Sequence, residues 1–166
     1  MTLSVQAYLR RDRPPAGMEK QTYLHPGQLC FTTEPTVVST VLGSCVSVCL
    51  YDEEHKAAGM NHFLLPGSLP GTESPRFAEP ANQILLKRFR EMGVPVSRLR
   101  AKVFGGASMG GSSAGDLASR NVETALAFLR SNCIPIVSQD TGGERGRKLI
   151  FRTSDATAWV RLLGVR

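Results

Sequence analysis

The stretches STVLGSCVSVCLYD (residues 39–52) and GMNHFLLP (residues 59–66) decide how the rest of this chain is interpreted. Both contain short apolar runs rich in Val and Leu, and a charged segment separates them. Runs of this length around a polar turn are typical of a β-hairpin. Because side chains alternate along a strand, Cys45, Ser47 and Cys49 share one face of the first run.

The hairpin predicts a meeting of a thiol and an imidazole. If the turn is centred on Glu53 and Glu54, Cys45 lies opposite His62 on the second strand. Directly opposed residues in an antiparallel pair have Cβ atoms about 4.5–5.5 Å apart, close enough to share a proton. A slip of one residue would move His62 to the other face, so the prediction depends on this register.

A cysteine beside a histidine is a candidate nucleophile. The thiolate is the reactive form, and a nearby imidazolium lowers the pKa of the thiol. A third group usually orients the imidazole, and Ser39 and Thr40 are the local candidates. Six extended residues span roughly 20 Å, so the chain must fold back near Gly43 to bring either hydroxyl close. The competing interpretation is that Cys45 is a small buried apolar residue.

Five blocks of sequence carry a resemblance to a known family. They are residues 42–49 (LGSCVSVC), 59–66 (GMNHFLLP), 102–109 (KVFGGASM), 120–122 (RNV) and 140–143 (DTGG). The chain resembles the chemoreceptor glutamine deamidase family, CheD, from about residue 23 to residue 163. In this resemblance the family's nucleophilic cysteine falls on Cys45 and its histidine on His62. The family's threonine, six positions before the cysteine, falls on Ser39, which keeps a hydroxyl; Thr40 is the alternative.

The resemblance implies an activity and its partners. The activity is hydrolytic deamidation of specific glutamine side chains to glutamate on methyl-accepting chemotaxis receptors, through a thioester, without a cofactor. Receptor methylesterase activity is a further implication, because a methyl glutamate presents a similar carbonyl. A CheC-type phosphatase is the implied regulator. The alternative is a catalytically weak module of the chemotaxis system that binds receptors or the phosphatase.

Length and composition favour a single globular domain. The chain has 166 residues, of which 42% are hydrophobic and 20% charged. Residues 1–20 mix charge, Pro and Gly without periodicity and are expected to form a loose tail before the domain at residues 21–166. No apolar stretch is long enough to insert in a membrane, and no secretory signal is recognisable. We therefore expect a cytoplasmic protein.

The cysteine spacing and the charge exclude several classes of site. The four cysteines lack Cys-x-x-Cys spacing, so the sequence predicts neither a disulfide framework nor a metal site. The formal charge of +6 would suit an acidic partner protein. Nucleic-acid binding is not favoured, because the basic residues are scattered, aromatics are few and no recognition motif is present.

The remaining pattern indicates the fold class. Apolar residues at helical spacing predict a first helix that begins at Glu79 and ends at Gly93. A second helix is expected over residues 119–131. Strands are expected at residues 28–33, 99–104, 134–138, 148–152 and 158–163. This order predicts a single α+β domain with mixed/antiparallel β-sheet covered by helices. The family resemblance implies that the domain is a layered sandwich of sheets with flanking helices. The resemblance implies that Gly105-Gly106-Ala107 shapes the wall of the site. The loop at residues 66–80 would border this site, and Asp140 is a rival orienter of His62.

Overall fold

The computed structural model describes residues 6–7 and 19–164, with residues 6, 7, 112 and 114 described by their backbone alone. Most of the tail predicted for residues 1–20 lies outside the described residues. The strands are β1 (Gln6–Ala7), β2 (Lys20–Tyr23), β3 (Leu29–Thr32), β4 (Thr36–Leu42), β5 (Val46–Asp52), β6 (Ala57–Asn61), β7 (Arg100–Gly105), β8 (Ile136–Thr141), β9 (Arg147–Arg152) and β10 (Thr157–Leu162). The helices are α1 (Ala78–Glu91), α2 (Ser112–Ser131) and a short 3-10 turn (Val96–Arg98).

The strands form two five-stranded mixed sheets. The outer sheet has the order β1-β10-β9-β4-β2, and the central sheet has the order β3-β6-β5-β7-β8. In the outer sheet β1–β10 and β4–β2 are parallel pairs; in the central sheet β7–β8 is parallel and the other pairs are antiparallel. The predicted α+β layered sandwich is therefore confirmed.

Strand β5 is buried on both faces, which places it at the centre of the molecule. Val46, Val48 and Leu50 pack against α1 and α2. Cys49 faces the other way and packs in a second core, which lies between the two sheets. The layers are therefore outer sheet, central sheet and helices. The second face was expected from the sequence to be polar; it is buried because the outer sheet covers it.

The chain passes from one sheet to the other between Leu42 and Val46. Strand β4 belongs to the outer sheet and β5 to the central sheet, so residues 43–45 make the crossing. This confirms that the chain folds back near Gly43. Because the two sheets face each other, inward side chains of β4 can meet side chains of the β5–β6 hairpin despite the separation along the chain.

The hairpin forms, but the predicted register is wrong. Cys49 pairs with Met60 and Asp52 with Ala57, so Cys45 and His62 are not directly opposed. The turn takes four residues, 53–56, instead of two. The resulting shift of the register by two residues keeps every side chain on its predicted face, since the period of a strand is two.

The helices were predicted with different success. Helix α1 runs where the apolar stripe predicted it, whereas α2 begins at Ser112, seven residues before the expected start. Its first turns are rich in Ser, Gly and Ala and carry no apolar periodicity, so the sequence pattern could not show them. Within the described residues, no helix has the length and apolarity needed to cross a membrane.

Candidate active site

His62 and Thr40 meet between the two sheets. His62 follows β6 directly, and Thr40 lies on the inward face of β4. The Nδ1 atom of His62 is 2.8 Å from the Oγ1 atom of Thr40. Both residues are removed from solvent, with exposures of 1% and 0%. A buried hydrogen bond of this kind holds the imidazole in one orientation, because a buried polar group without its partner would destabilise the folded state.

The partners of Thr40 determine the tautomer of His62. A hydroxyl group has one proton to donate, and the Thr40 Oγ1 donates it to the carbonyl oxygen of Leu24, at 2.8 Å. Thr40 can then only accept a hydrogen bond from the imidazole, so the proton of the neutral ring is on Nδ1. The Nε2 atom of His62 carries the free lone pair and has no hydrogen-bond partner among the described residues. It is a buried, unpartnered base.

Cys45 lies diagonally across the hairpin from this base. Backbone hydrogen bonds in both directions between Val46 and Phe63, at 3.2 and 3.0 Å, continue the register beyond β6. In that register His62 is opposite Ser47, and Cys45 is two positions away on the same face. Such diagonal neighbours lie about 7–8 Å apart or slightly closer, within reach of a long or aromatic side chain. Cys45 is half-buried.

Burial keeps both groups neutral. It lowers the pKa of His62 to about 4. Burial also raises the pKa of the Cys45 thiol, and a hydrogen bond from the Cys45 backbone N–H opposes this increase. The sequence suggested an imidazolium that lowers the thiol pKa, whereas burial shifts the pKa of each group toward its neutral form. A neutral thiol and a neutral imidazole are present at neutral pH, and the proton must move during the reaction.

Ser39 lies on the other face of β4. It pairs with Ile150 of β9 and with Tyr23 of β2. Its alternate neighbour Val41 is 41% exposed, so this face points away from the inter-sheet core. The hydrogen bond to His62 is made by Thr40, the alternative named from the sequence.

Asp140, the rival orienter, is engaged elsewhere. Its carboxylate accepts a hydrogen bond from Arg147 Nη1 at 2.5 Å. The guanidinium of Arg147 is buried, and it also donates to the carbonyl oxygens of Asp140 and Gly142. This pair fastens the turn at residues 140–143 to β9. Within the described part of the chain, no cluster of three or more His, Cys, Asp or Glu residues could hold a metal ion.

Two glycines let the backbone approach Cys45 closely. The N–H of Gly106 donates to the carbonyl oxygen of Cys45 at 2.8 Å. A Cβ atom on Gly105 would lie 2.2 Å from that same oxygen, and Gly105 has a φ of +112°. A Cβ atom on Gly106 would lie 2.2 Å from a methyl group of Val122 on α2. Gly105 and Gly106 thus fit between the cysteine backbone and α2 because they lack side chains.

The loop expected to border the site does contact the chain beyond His62. The carbonyl oxygen of Arg76 accepts hydrogen bonds from the N–H groups of Leu64 and Leu65, at 2.9 and 3.1 Å. The side chain of Arg76 also covers Gly27, whose N–H donates to the carbonyl oxygen of His62 at 2.7 Å. The loop at residues 66–80 therefore supports the histidine segment from outside.

Asn121 was missed as a site residue in the sequence reasoning. It is fully buried on α2, and its side-chain NH2 donates to the carbonyl oxygens of Ser44 and Leu64, at 3.0 and 2.8 Å. It therefore joins the residue before Cys45 to a residue shortly after His62. The sequence did contain a signal for Asn121: it lies on the same helix face as the apolar residues Ala118 and Ala125. A polar side chain on a buried face needs a specific hydrogen-bond partner.

Comparison with known proteins identifies the family. A half-buried thiol near a histidine of fixed tautomer resembles the site of enzymes with a cysteine nucleophile. The sequence profile described as CheD, chemotactic sensory transduction, matches residues 64–162. The chain belongs to the CheD family. The profile match begins after Cys45 and His62, whereas the full-length relatives cover most of the chain.

Three relatives carry the same name. A "Probable chemoreceptor glutamine deamidase CheD 1" of Anaeromyxobacter dehalogenans is 46% identical over 92% of this chain and 90% of its own length. A "Probable chemoreceptor glutamine deamidase CheD" of Rhodospirillum rubrum is 42% identical over 85% of this chain and 81% of its own. A "Probable chemoreceptor glutamine deamidase CheD 2" of Geobacter sulfurreducens is 41% identical over 85% of this chain and 89% of its own.

Replacing Gly105 by Ala tests the close approach to Cys45. The new methyl group would collide with the Cys45 carbonyl oxygen, so we expect a lower melting temperature and an altered rate of alkylation of Cys45 by iodoacetamide. Gly110→Ala is a matched control, since Gly110 has a similar φ of +110° but nothing within 4 Å of the added atom. Equal effects of the two substitutions on stability and alkylation would show that backbone strain, and not the collision, is responsible.

Proposed function

We propose that this protein hydrolyses the side-chain amide of specific glutamines on methyl-accepting chemotaxis receptors. The names of the relatives support this substrate and reaction. The observation that carries the proposed mechanism is the hydrogen-bond chain from His62 through Thr40 to Leu24, because it leaves a lone pair on His62 Nε2. A base that is positioned and unprotonated at neutral pH is what a thiol needs in order to attack an amide.

In the first half of the proposed reaction Cys45 Sγ attacks the carbon of the glutamine amide. The thiol proton passes to His62 Nε2 as the S–C bond forms, which gives a tetrahedral intermediate and an imidazolium. His62 then returns this proton to the amide nitrogen, the C–N bond breaks and ammonia departs. A thioester between Cys45 and the substrate remains. Thr40 orients the ring throughout and accepts from Nδ1–H, also when the ring is charged.

In the second half water replaces ammonia. His62 Nε2 takes a proton from a water molecule while the water oxygen attacks the thioester carbon. Collapse of the second tetrahedral intermediate breaks the S–C bond. The thiol leaves as Cys45 is reprotonated by His62, and the substrate carries a glutamate side chain. The residues return to their neutral starting forms.

The backbone N–H of Cys45 is the proposed stabiliser of the oxyanion in both intermediates. Its proximity to Sγ opposes the effect of burial on the thiol pKa. The negative oxygen forms next to the attacked carbon, close to the new S–C bond, so a donor beside the sulfur is suitably placed. A donor that is already in position has no need to reorganise in the transition state.

The competing function is that of a receptor- or phosphatase-binding module with weak catalysis. The departure that suggested it was Ser39 at the family's threonine position. A hydroxyl from the next residue, Thr40, contacts His62, so this departure gives the binding module no special support. The methylesterase activity, the CheC-type regulator and the cytoplasmic location remain predictions from the sequence resemblance.

The first test of this mechanism removes the nucleophile. Cys45→Ala should abolish conversion of receptor Gln to Glu, because no thioester can form; mass spectrometry of a receptor fragment measures the product. Cys133→Ala is the control, since Cys133 is an exposed cysteine outside the site, and it should retain activity. Normal conversion by Cys45→Ala would refute the mechanism. Receptor binding without conversion by the unmodified protein would favour the binding module.

A second test separates the two candidate hydroxyls. Thr40→Val should lower kcat by about 10- to 100-fold, the usual loss when a group that orients a site residue is removed. Thr40→Ser keeps the hydroxyl and should restore most of this activity. Ser39→Ala should leave kcat near that of the parent protein, since Ser39 lies on the other face of β4. Steady-state deamidation kinetics measure all three; a large loss in Ser39→Ala with an active Thr40→Val would reverse the assignment.

The pH dependence follows from the lowered pKa of His62. The base must be neutral to accept the thiol proton, and its pKa of about 4 in the free protein means that it stays neutral down to that pH. We expect kcat/KM to rise as the pH passes about 4 and to have no inflection near 6.5. Fluorescence of Trp159 at each pH monitors whether the protein remains folded. An acid limb centred near 6.5 in folded protein would contradict a buried neutral base.

A further inference from the structure

We propose that Asn121 is a positioning residue that orients the backbone N–H of Cys45 toward the oxyanion of the reaction. The proposal rests on the function proposed above and adds a residue to its machinery. Asn121 touches neither the thiol nor the imidazole in the hydrogen-bond pattern. It acts on the peptide group between Ser44 and Cys45, whose carbonyl oxygen it binds.

The two hydrogen bonds of Asn121 settle the orientation of its amide. Both partners, the carbonyl oxygens of Ser44 and Leu64, are acceptors, so the NH2 group must face them. Each of its two N–H bonds serves one segment of the site. The amide thus sets the distance between the segment that leads into Cys45 and the segment that leaves His62.

Because a peptide group is planar, fixing the Ser44 carbonyl also fixes the direction of the Cys45 N–H. The Ser44 carbonyl and the Cys45 N–H belong to one planar group, and in a trans peptide they point in opposite directions. No cis peptide bond is present among the described residues. By holding the carbonyl toward α2, Asn121 directs the N–H away from the helix. Hydrogen bonding at the carbonyl also polarises the same peptide and strengthens its N–H as a donor.

The rest of the crossing segment is held by the same part of the fold. The N–H groups of Gly106 and Ala107 donate to the carbonyl oxygens of Cys45 and Gly43, each at 2.8 Å. With Asn121 on Ser44, all three consecutive carbonyls of residues 43–45 have donors. The peptide planes of this segment are therefore fixed, and Asn121 is the side chain that fixes the one carrying the Cys45 N–H.

Burial of the Asn121 side chain also carries a free-energy cost. It has no exposed surface, and its Oδ1 atom has no hydrogen-bond partner among the described residues. A buried acceptor without a partner destabilises the folded state. An apolar residue would fill the interface between α2 and the central sheet without that cost, but it could not hold two carbonyl groups. The amide thus satisfies two backbone carbonyl groups and fixes their positions.

The test compares Asn121→Ala with Asn82→Ala in the full chain. Asn82 is a matched control: it is fully buried on α1, faces the same sheet and makes one side-chain hydrogen bond, accepting from Asn61 Nδ2 at 2.7 Å. Both substitutions should lower the melting temperature. Only Asn121→Ala should lower kcat, by about 10- to 100-fold as for other groups that orient a reacting residue, with kcat/KM falling equally.

A receptor peptide with an aldehyde in place of the glutamine amide gives a readout specific to the oxyanion. Cys45 Sγ adds to the aldehyde carbon and the oxygen takes up a proton reversibly, in a tetrahedral adduct that resembles the intermediate. Its affinity should fall in Asn121→Ala by the same factor as kcat/KM. A kcat within tenfold of that of Asn82→Ala, or an unchanged aldehyde affinity, would overturn the positioning role.

A measurement without turnover separates this proposal from the proposed function. In ¹H–¹⁵N spectra the Cys45 amide resonance should move in Asn121→Ala and not in Asn82→Ala. If the parent protein fails to deamidate receptors while this shift appears, the function is wrong and Asn121 still orients the Cys45 peptide. If the parent protein is active and the Cys45 resonance is unchanged, the function stands and the role of Asn121 is refuted.

Discussion

The hydrogen bond between His62 and Thr40 is the contact on which the site depends, and it exists only because two sheets pack face to face. Its two residues come from different sheets and are both buried. In that environment a hydrogen bond is stronger than in water, and an unmade one is costly. The Leu24 carbonyl completes the chain and thereby chooses which imidazole nitrogen carries the proton. One backbone oxygen thus determines the tautomer of the imidazole.

The backbone around Cys45 is as constrained as the imidazole. Gly105 admits the crossing segment because a side chain there would collide with Cys45, and Gly106 admits Val122 of α2 for the same reason. Asn121 holds the crossing segment from the helix side. The glycines and Asn121 both fix the position of the backbone around Cys45. A nucleophile on a crossing between sheets would be mobile if its carbonyls were free, whereas hydrogen-bond donors to the carbonyl oxygens of residues 43–45 hold its backbone in place.

The sequence predicted the hairpin, its faces and α1, because each depends on a local period of two or of 3.6 residues. It failed on the hairpin register, since that depends on how many residues the turn takes, and the charged residues 53–56 allow either length. It also missed the first turns of α2, where Ser and Gly carry no apolar stripe.

The sequence by itself determined the chemical groups of this protein: a cysteine, a histidine and two adjacent hydroxyls, in an order that resembles the CheD family. Only the tertiary structure decided which hydroxyl contacts the histidine, because Ser39 and Thr40 lie on opposite faces of β4 and the outer sheet turns only one face inward. It also decided that the imidazole and thiol rest as neutral groups. The physical reason is burial: charge is disfavoured where two sheets exclude water, and adjacency in the chain does not reveal where that occurs.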